Sequence, residues 1–301
     1  MNIVVTGSIA YDYLMTFPGR FAEHILPDQI HRLSVSFLVD EMRKQRGGCA
    51  ANIAYNLALL GERPQLMGTV GQDFETYRAW LESSGVDTSM VRTESDLFTA
   101  SFFVSTDEDG NQIASFYTGA MARARDLSLR PLEGDKIDLV VISPNDPQAM
   151  VKYVAECQAL DIPYAYDPSQ QIVRLRKEAL TMGLKGSALL VVNEYEFEML
   201  REKTGLTADQ IRTAPSRACV VTRGAEGSEI WTKGKAYHIP AAVPRRVEDP
   251  TGVGDAYRAG LIKGLGLGLS WDLAARMGSI AATFALEQPG PQSHRYALSD
   301  F

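Results

Sequence analysis

Short runs of β-branched and aliphatic residues alternate with longer amphipathic stretches along this chain. The runs occupy residues 2–9, 137–143, 162–167, 187–193 and 218–224, and their nearly continuous apolar character is typical of parallel strands buried on both faces. Helices are predicted over 49–61, 147–160, 253–267 and 271–287. This alternation predicts a doubly wound α/β fold, in which helices flank a mostly parallel sheet.

Two regions break the alternation. Residues 12–46 carry extended aromatic and aliphatic patches, and 99–118 are predicted to form a hairpin around "DEDGN". Together they predict a small β-sheet lid over the edge of the main sheet. A further hairpin is predicted over 228–240, with its turn at "KGK". Because no linker rich in Pro, Gly or Ser divides the chain, we expect residues 1–301 to form a single domain.

Composition and charge narrow the classes of function. Hydrophobic residues make up 45% of the chain and charged residues 22%, which is ordinary for a globular protein. The net charge of −7 argues against a nucleic-acid partner, since phosphate backbones are bound by basic stripes. The N-terminal "MNIVVTGSIA" has no basic n-region and no long apolar run, which predicts a cytoplasmic protein without a membrane partner. Cys49, Cys157 and Cys219 are too scattered for a disulfide framework, so we expect reduced, mostly buried thiols.

The sequence "DPTGVGDAYRAGL" at 249–261 places Gly252, Val253 and Gly254 at the start of a predicted helix. Amides in a first helical turn have no intrahelical acceptor and lie at the positive end of the helix dipole. Glycines also allow close approach of a ligand to the backbone. The turn therefore predicts an anion site. The alternative is that Asp249 and Asp255 only cap the helix and that the glycines only serve a tight turn.

Asp255 is unusual beside an anion site, because a carboxylate facing a bound phosphate costs Coulomb energy. A role that fits is to orient a substrate hydroxyl and take its proton as the oxygen attacks phosphorus, as in phosphoryl transfer. A free Asp, with a pKa of about 3.9, is too weak to deprotonate an alcohol beforehand. We therefore expect late proton transfer, with much of the contribution coming from positioning.

Four motifs resemble those of the ribokinase-like (PfkB) carbohydrate and nucleoside kinases, and they occur in family order over nearly the whole chain. They are "RGGCAANIAYNLALLG" at 46–61, "NEYE" at 193–196, "VTRGAEGS" at 221–228 and "DPTGVGD" at 249–255. Pro250 replaces the usual threonine, although Thr251 restores a hydroxyl, and Val253 replaces a small alanine. The segments "GSIAYDYLMTFPGRF", "ILPDQ" and "GPQS" are similar to those of bacterial nucleoside kinases that phosphorylate adenosine.

The resemblance implies a ribokinase-like fold and a set of roles around ATP and Mg²⁺. Asp255 would be the base, and the amides of the glycine turn would hold the transferred group. Asn193 and Glu196 would organise Mg²⁺ through water; their alternative is a simple capping box. The residues that would contact ATP are Asn193, Thr222, Arg223, Gly224, Gly227 and Thr251. For "TRGAEG" the alternative is a plain turn.

The resemblance also implies where an acceptor binds. Asp12 would accept hydrogen bonds from two ribose hydroxyls, with a simple turn residue as the alternative. The other acceptor residues implied are Ser8, Gly47, Gly48 and Asn52, together with Phe37, Phe103 and Phe116 as stacking partners for a purine. Each phenylalanine could instead pack against its own sheet. His294 could approach the adenine of ATP or be an exposed histidine, and Arg258 has no assigned role.

The function implied is ATP- and Mg²⁺-dependent phosphorylation of a nucleoside 5′-hydroxyl, with adenosine as the best candidate and purine salvage as its setting. A sugar kinase of the same family acting on ribose, fructose or a phosphosugar is one alternative. A noncatalytic purine sensor is another, although it would be expected to lack Asp255. An NAD-binding oxidoreductase is disfavoured because no G-x-G-x-x-G follows the first strand. The chain could be a monomer or a homodimer formed through the lid.

Overall fold

The computed structural model of the protein describes residues 1–25 and 27–301. Its strands are β1 (Ile3–Thr6), β2 (Ala10–Thr16), β3 (Glu41–Gly47), β4 (Gln65–Gly71), β5 (Val91–Glu94), β6 (Ala100–Thr106), β7 (Gln112–Tyr117), β8 (Leu139–Ile142), β9 (Tyr164–Tyr166), β10 (Leu189–Asn193), β11 (Ala218–Thr222), β12 (Ser228–Thr232) and β13 (Lys235–Ile239). Its α-helices are α1 (Phe21–His24), α2 (Cys49–Leu59), α3 (Glu75–Ser83), α4 (Pro147–Ala159), α5 (Lys177–Gly186), α6 (Glu194–Thr204), α7 (Ala208–Thr213), α8 (Val253–Gly266) and α9 (Trp271–Leu286).

The main sheet has the strand order β13-β12-β11-β10-β9-β8-β1-β4-β5 in the described part of the chain. It is parallel from β5 to β11, and β12 and β13 are added antiparallel at one edge. Alternate residues of each central strand enter opposite cores: Val5 packs toward α2, α3, α8 and α9, whereas Val4 packs toward α4 to α7. Helices therefore cover both faces, and the predicted doubly wound fold is confirmed.

Each of the five predicted parallel strands is present, and so is the predicted hairpin, which β12 and β13 form around Lys233 and Gly234. Strand β4 is not predicted, because its glycines weaken the strand pattern. The structure gives them a reason: a Cβ on Gly71 would lie 2.2 Å from the carbonyl carbon of Phe98, and one on Gly68 would lie 2.9 Å from Cδ1 of Ile9. The two glycines allow neighbouring segments to approach the sheet closely.

A second sheet, with the order β3-β2-β6-β7, is built from the two regions that interrupt the alternation. β2 pairs antiparallel with β3 and parallel with β6, and β6 and β7 form the hairpin around 107–111. The predicted small sheet is therefore present. Leu26, which belongs to the predicted lid segment 12–46, lies outside the described residues.

None of the helices in residues 1–25 and 27–301 has the length and apolar character needed to span a bilayer. The loops that follow β1, β8, β9, β10 and β11 all leave the main sheet at its carboxyl edge, where ligands bind in open α/β sheets. The second sheet begins directly after β1, at this same edge. The fold thus brings the motif-bearing loops and the small sheet together.

Candidate active site

A cavity of about 510 Å³ lies between the carboxyl edge of the main sheet and the second sheet. Eight of the residues predicted for the site line it: Ser8, Asp12, Gly48, Asn52, Phe116, Thr251, Gly252 and Asp255. The structure thus joins the N-terminal and C-terminal motifs, which are about 200 residues apart in sequence, around one space.

One wall of the cavity is a row of side chains across the second sheet. Asp12 on β2 is in register with Phe102 on β6, and Phe102 is in register with Phe116 on β7. All three residues line the cavity. The wall therefore presents a carboxylate next to two aromatic rings.

Phe103 and Phe37 do not line this cavity. Successive residues of a strand point to opposite faces, so Phe103 lies on the other side of the sheet and stacks on Tyr13 with a centroid distance of 4.7 Å. Phe37 packs edge-on against Phe17 and Phe21, at 5.0 and 4.8 Å. The β6 residue that lines the cavity is therefore Phe102, the neighbour of the predicted Phe103. In a hairpin centred on Asp109, residue 116 pairs with residue 102 rather than with 103. The position of the turn in the sequence could therefore have predicted that Phe102 lies beside Phe116.

A second wall is formed by the start of α2. Gly48 adopts φ 94°, and a Cβ there would lie 2.5 Å from the Ser8 carbonyl oxygen, so only glycine fits. Gly47, just outside the cavity, leaves room for Asp12, whose Oδ2 would lie 2.4 Å from a Cβ at that position. The Ser8 hydroxyl accepts a hydrogen bond from the amide of Cys49 at 3.0 Å. The paired glycines therefore let β1, Asp12 and α2 meet closely.

The glycine turn forms the floor. α8 begins at Val253, as predicted, and Gly252 precedes it with φ 78°. The Asp249 carboxylate accepts hydrogen bonds from the amides of Thr251, at 2.8 Å, and Gly290, at 2.9 Å. The amide of Val253 donates to the Pro250 carbonyl at 3.3 Å, which closes the turn. Asp249 thus caps the turn, and the first-turn amides of Gly254 and Asp255 have no acceptor within the helix.

Asp255 is 8% exposed and accepts a hydrogen bond from Nδ2 of Asn52 at 2.9 Å. Burial raises its pKa to about 6, and the nearby Glu196 adds to this, whereas Arg258 and the Asn52 hydrogen bond oppose it. Burial, Asp249 and Asp255 likewise raise the pKa of Asp12 to about 6. Both carboxyl groups therefore titrate closer to neutral pH than a free Asp does.

Beneath the turn, Arg258 forms a buried ion pair with Asp167. Its Nη2 donates to Oδ1 of Asp167 at 2.7 Å, and its Nε lies 2.7 Å from Oδ2. A Cβ on Gly254 would lie 2.8 Å from Nη1 of Arg258, so the guanidinium sits directly under the backbone of the turn. The Arg258–Asp167 ion pair therefore lies directly below the glycine turn, a position that the sequence did not predict.

Asn193 and Glu196 lie beyond the cavity, at the end of β10, and they form the capping box that was the alternative interpretation. The Glu196 carboxylate accepts from the Asn193 amide and from the Ser169 hydroxyl, both at 2.8 Å. Capping does not exhaust its acceptor capacity, since a carboxylate has about four lone-pair sites. The Glu196 carboxylate also contributes to the raised pKa of Asp255 in the first turn of α8.

Direct coordination of a metal by a protein cluster is not found: within the described ranges, no group of three or more His, Cys, Asp or Glu side chains is arranged to hold a metal ion. Glu196 nevertheless keeps lone pairs free of its two hydrogen bonds. Mg²⁺ characteristically retains several waters and takes only one or two carboxylates. The residues present therefore fit a hydrated Mg²⁺ held mainly by nucleotide phosphates.

Apart from Thr251, which lines the cavity, the other residues implied for ATP cluster at the end of β11, outside the cavity. Thr222 is in register with Asn193 on the neighbouring strand. Arg223 is held by Glu229 at 2.8 Å, with Glu226 and Glu194 at 3.4 and 3.6 Å. Gly224 and Gly227 adopt φ 54° and 96°, and a Cβ on Gly227 would lie 2.0 Å from the Ile239 carbonyl oxygen. The motif therefore forms a tight turn beside α6.

His294 is 2% exposed, so the surface position considered for it is wrong. Its Nε2 lies 2.7 Å from Oδ1 of Asn56, and burial lowers its pKa to about 4. Several other cavity residues were not predicted for the site: Cys49, Phe102, Gln170, Gln171 and Arg174. The last three follow β9, a short strand whose continuation has no recognisable pattern.

The chain is similar to known kinases over nearly its whole length. The family model for the pfkB family carbohydrate kinases matches residues 4–296. The chain belongs to this family. It is 31% identical over 296 residues to a nucleoside kinase of Methanothermobacter thermautotrophicus, spanning 97% of this chain and 92% of that protein.

Solved structures of the family share the fold. Burkholderia thailandensis nucleoside kinase in complex with ADP-inosine is 37% identical with a TM-score of 0.85, covering 99% of this chain and 92% of that chain. Methanocaldococcus jannaschii nucleoside kinase has a TM-score of 0.89 at 27% identity, covering 100% and 96%. The ribokinase-like fold is thereby confirmed, and the chain is a kinase of the pfkB family.

Proposed function

We propose that this kinase transfers the γ-phosphoryl group of ATP to the ribose 5′-hydroxyl of a purine nucleoside, with adenosine as the preferred acceptor. The observation that carries the proposal is that Asp255 and Gly252 line the same cavity as Asp12 and its aromatic row. A phosphate held at the glycine turn and a sugar held at Asp12 would then meet beside the Asp255 carboxylate.

Asp255 orients the acceptor hydroxyl and takes its proton as the oxygen attacks the phosphorus atom. With a pKa raised by burial to about 6, its carboxyl is still mostly ionised at neutral pH. It is also a stronger base than a free Asp, which brings its pKa closer to the pH at which it works. Asn52 holds one carboxylate oxygen, which leaves the other for the substrate.

The first-turn amides of α8 would hold the transferred group, and the Arg258 guanidinium beneath them adds positive charge where negative charge develops. Asn193, Thr222, Arg223, Gly224 and Gly227 would hold the remainder of ATP at the ends of β10 and β11. Mg²⁺, organised through water by Glu196 and Asn193, would neutralise charge on the β- and γ-phosphates.

The acceptor wall favours a nucleoside over a free sugar. Asp12 can accept hydrogen bonds from the two vicinal hydroxyls of a ribose. Phe102 and Phe116, directly across the sheet, offer aromatic faces that suit a purine and would be unused by ribose alone. Two relatives named as nucleoside kinases, one of them in complex with ADP-inosine, support this acceptor class. Hypoxanthine is therefore the base that most directly competes with adenine.

One observation favours a second candidate, a phosphosugar acceptor: the exposed Arg174 also lines the cavity and could bind an anion. A panel of adenosine, inosine, guanosine, ribose and fructose 6-phosphate, assayed with ATP for ADP release, separates the candidates. We expect kcat/KM to be highest for adenosine. A higher value for ribose or for the sugar phosphate would refute the nucleoside assignment.

The role of Asp255 is tested by Asp255→Asn, which keeps the size of the side chain and removes its basicity. We expect kcat to fall by about two orders of magnitude or more, in the range of a lost general base, while ADP binding measured by calorimetry persists. Retention of near wild-type turnover would remove Asp255 from the chemistry.

The aromatic wall is tested with a matched pair on β6. Phe102→Ala should raise the KM for adenosine, because Phe102 lines the cavity. Phe103→Ala should leave it nearly unchanged, because Phe103 stacks on Tyr13 on the opposite face. Equal effects of the two substitutions would argue against base stacking in this row.

We also propose that the segments 12–46 and 99–118 form a lid on a single domain and close over the acceptor, so that water is excluded and ATP hydrolysis is suppressed. Exposed apolar residues on β7, Ile113 and Tyr117 among them, would permit a lid-mediated homodimer. An ATPase rate without acceptor that equals the kinase rate would refute closure. A cytoplasmic role in purine salvage completes the proposal.

A further inference from the structure

A chain of hydrogen bonds runs from Trp80 to the catalytic carboxylate through two amide side chains. The indole Nε1 of Trp80 donates to Oε1 of Gln292 at 3.2 Å. Nε2 of Gln292 donates to Oδ1 of Asn52 at 2.9 Å, and Nδ2 of Asn52 donates to Oδ2 of Asp255 at 2.9 Å. The four residues come from α3, the C-terminal segment, α2 and α8.

The two ends of this chain fix its direction. An indole N–H can only donate, and an ionised carboxylate can only accept. Because the Trp80 indole donates to the side-chain oxygen of Gln292, the amide nitrogen of Gln292 must face Asn52. Asn52 must then present its oxygen to Gln292 and its nitrogen to Asp255. Reversing either amide would bring two acceptors together.

Tyr77 reinforces this direction. Its hydroxyl donates to the Gly47 carbonyl at 2.9 Å, so it offers a lone pair to the second N–H of Gln292. Tyr77 is fully buried, Gln292 is 5% exposed and Asn52 is 4% exposed, so water has little access to compensate a reversed amide. Both donors of the Gln292 amide therefore have protein acceptors.

The donor at the start of the chain is itself held in place. The Trp80 ring stacks on Tyr55 with a centroid distance of 6.2 Å, and the guanidinium groups of Arg46 and Arg295 lie 4.5 and 4.6 Å from the Trp80 ring centroid. The indole is therefore clamped by one aromatic ring and two cations.

The segment that carries Gln292 is seated directly on the glycine turn. The Gly290 amide donates to Asp249 at 2.9 Å, and a Cβ on Gly252 would lie 2.4 Å from Cβ of Pro291. Gln292 thus reaches the site from a backbone in contact with the proposed phosphate-binding turn.

We propose that Trp80 and Gln292 are positioning residues, which act through Asn52 to keep its amide nitrogen on Asp255 and so hold this carboxylate in the orientation that receives the acceptor hydroxyl. The inference rests on the proposed function for its catalytic meaning. Neither residue belongs to the cavity lining, and the sequence assigned a role to neither, although Gln292 lies in the "GPQS" segment.

Loss of these hydrogen bonds would change the pKa of Asp255, because charged and polar groups surround its carboxylate. Asn52 and Arg258 stabilise the carboxylate, whereas burial and Glu196 oppose its ionisation, and Asp12 is also close enough to interact with it. If Asn52 turned its oxygen toward Asp255, a stabilising hydrogen bond would become a repulsion. The carboxyl pKa would then rise and the group would lose its fixed orientation.

The test uses Trp80→Phe, Gln292→Leu and the double variant. Trp80→Phe keeps an aromatic ring but removes the N–H together with the five-membered ring of the indole, and Gln292→Leu keeps much of the volume and removes the amide. Trp231→Phe is the matched control, because Trp231 lies on β12 and packs on Phe197, away from the catalytic turn. ADP binding by calorimetry gives the folded, binding-competent fraction of each variant.

Two independent readouts are measured: the pKa of Asp255 by carbon-13 NMR titration of its carboxyl group, and kcat with saturating ATP and nucleoside. We expect Gln292→Leu to raise the pKa and to lower kcat about tenfold, with Trp80→Phe causing a smaller loss of about threefold to fivefold. The KM for ATP should not change. The double variant should match Gln292→Leu alone, since Trp80 acts only through Gln292.

Losses that multiply in the double variant, or an Asp255 pKa that is the same in all variants as in wild type, would overturn the inference. A raised pKa with unchanged kcat would support the positioning of Asp255 but refute its role as the base. If the wild-type protein phosphorylates no acceptor, the proposed function fails, while the NMR arm still decides whether Trp80 and Gln292 position the carboxylate.

Discussion

Gly252→Ala tests two reasons for a glycine at this position: its positive φ and its close contact with Pro291. Gly252 has φ 78°, a conformation that costs a residue with a Cβ about 1–2 kcal/mol. The new Cβ would also lie 2.4 Å from Cβ and 3.1 Å from Cα of Pro291, well inside contact distance. Overpacking of this kind costs about 1–3 kcal/mol. The total expected loss is therefore about 2–5 kcal/mol in the free energy of unfolding.

The same helix supplies a control for the backbone contribution. Gly268, just beyond the end of α8, has φ 74° but no atom within 4 Å of the Cβ position. Gly268→Ala should therefore cost only about 1 kcal/mol, which for a chain of this size corresponds to a fall in Tm of about 2 °C. The difference between the two variants isolates the contact with Pro291.

Urea unfolding gives the stabilities, and ADP release gives turnover. Gly252→Ala should lower kcat/KM by about 10-fold to 100-fold, because the amides that hold the phosphate must shift away from Pro291. Gly268→Ala should retain wild-type turnover. Equal stability losses in the two variants, together with unchanged turnover in Gly252→Ala, would refute the packing of the turn against the C-terminal segment.

Two further predictions concern buried charge. Burial raises the pKa of both Asp12 and Asp255 to about 6, so the folded state favours their protonated forms. The stability that this gives below about pH 4 is lost as pH rises through about 6. Asp12→Asn should therefore raise Tm at pH 8 but not at pH 4, and an equal gain at both pH values would contradict this. Arg258→Met should lower the free energy of unfolding, measured in urea, by about 3–5 kcal/mol, because it leaves the buried Asp167 unpaired. Adding Asp167→Asn should restore part of this loss. A double variant no more stable than Arg258→Met would count against the ion pair.

The sequence predicts those parts of the site that depend on local backbone geometry. Glycine at 48 and at 252 is required by positive φ and by close backbone approach, and such requirements leave a visible sequence pattern. The five buried strands were likewise visible, because strands covered on both faces must be apolar throughout. Asp12 and Asn52, which the family resemblance implied, line the cavity together with these glycines.

The parts that the sequence left open depend on which distant residues meet. Strand register places Phe102 in the cavity, whereas the prediction named its neighbour Phe103. Arg258 pairs with Asp167 across the end of β9, 91 positions away, and no spacing rule connects them. Gln292 reaches Asn52 across 240 positions. Contacts of this kind are fixed by the fold as a whole, so no local pattern announces them.

The charges of the site explain how an acidic protein can handle a highly anionic substrate. With a net charge of −7, the chain offers no general attraction for phosphate. Asp12, Asp255 and Glu196 add local negative charge, and the buried cation nearest the turn, Arg258, is already paired with Asp167. Backbone amides and the helix dipole supply only partial charges, which act over the first turn. We therefore expect productive binding of ATP to depend on cations that arrive with the nucleotide. Burial, with a smaller contribution from Glu196, raises the pKa of Asp255 to about 6, which suits the base role proposed for it.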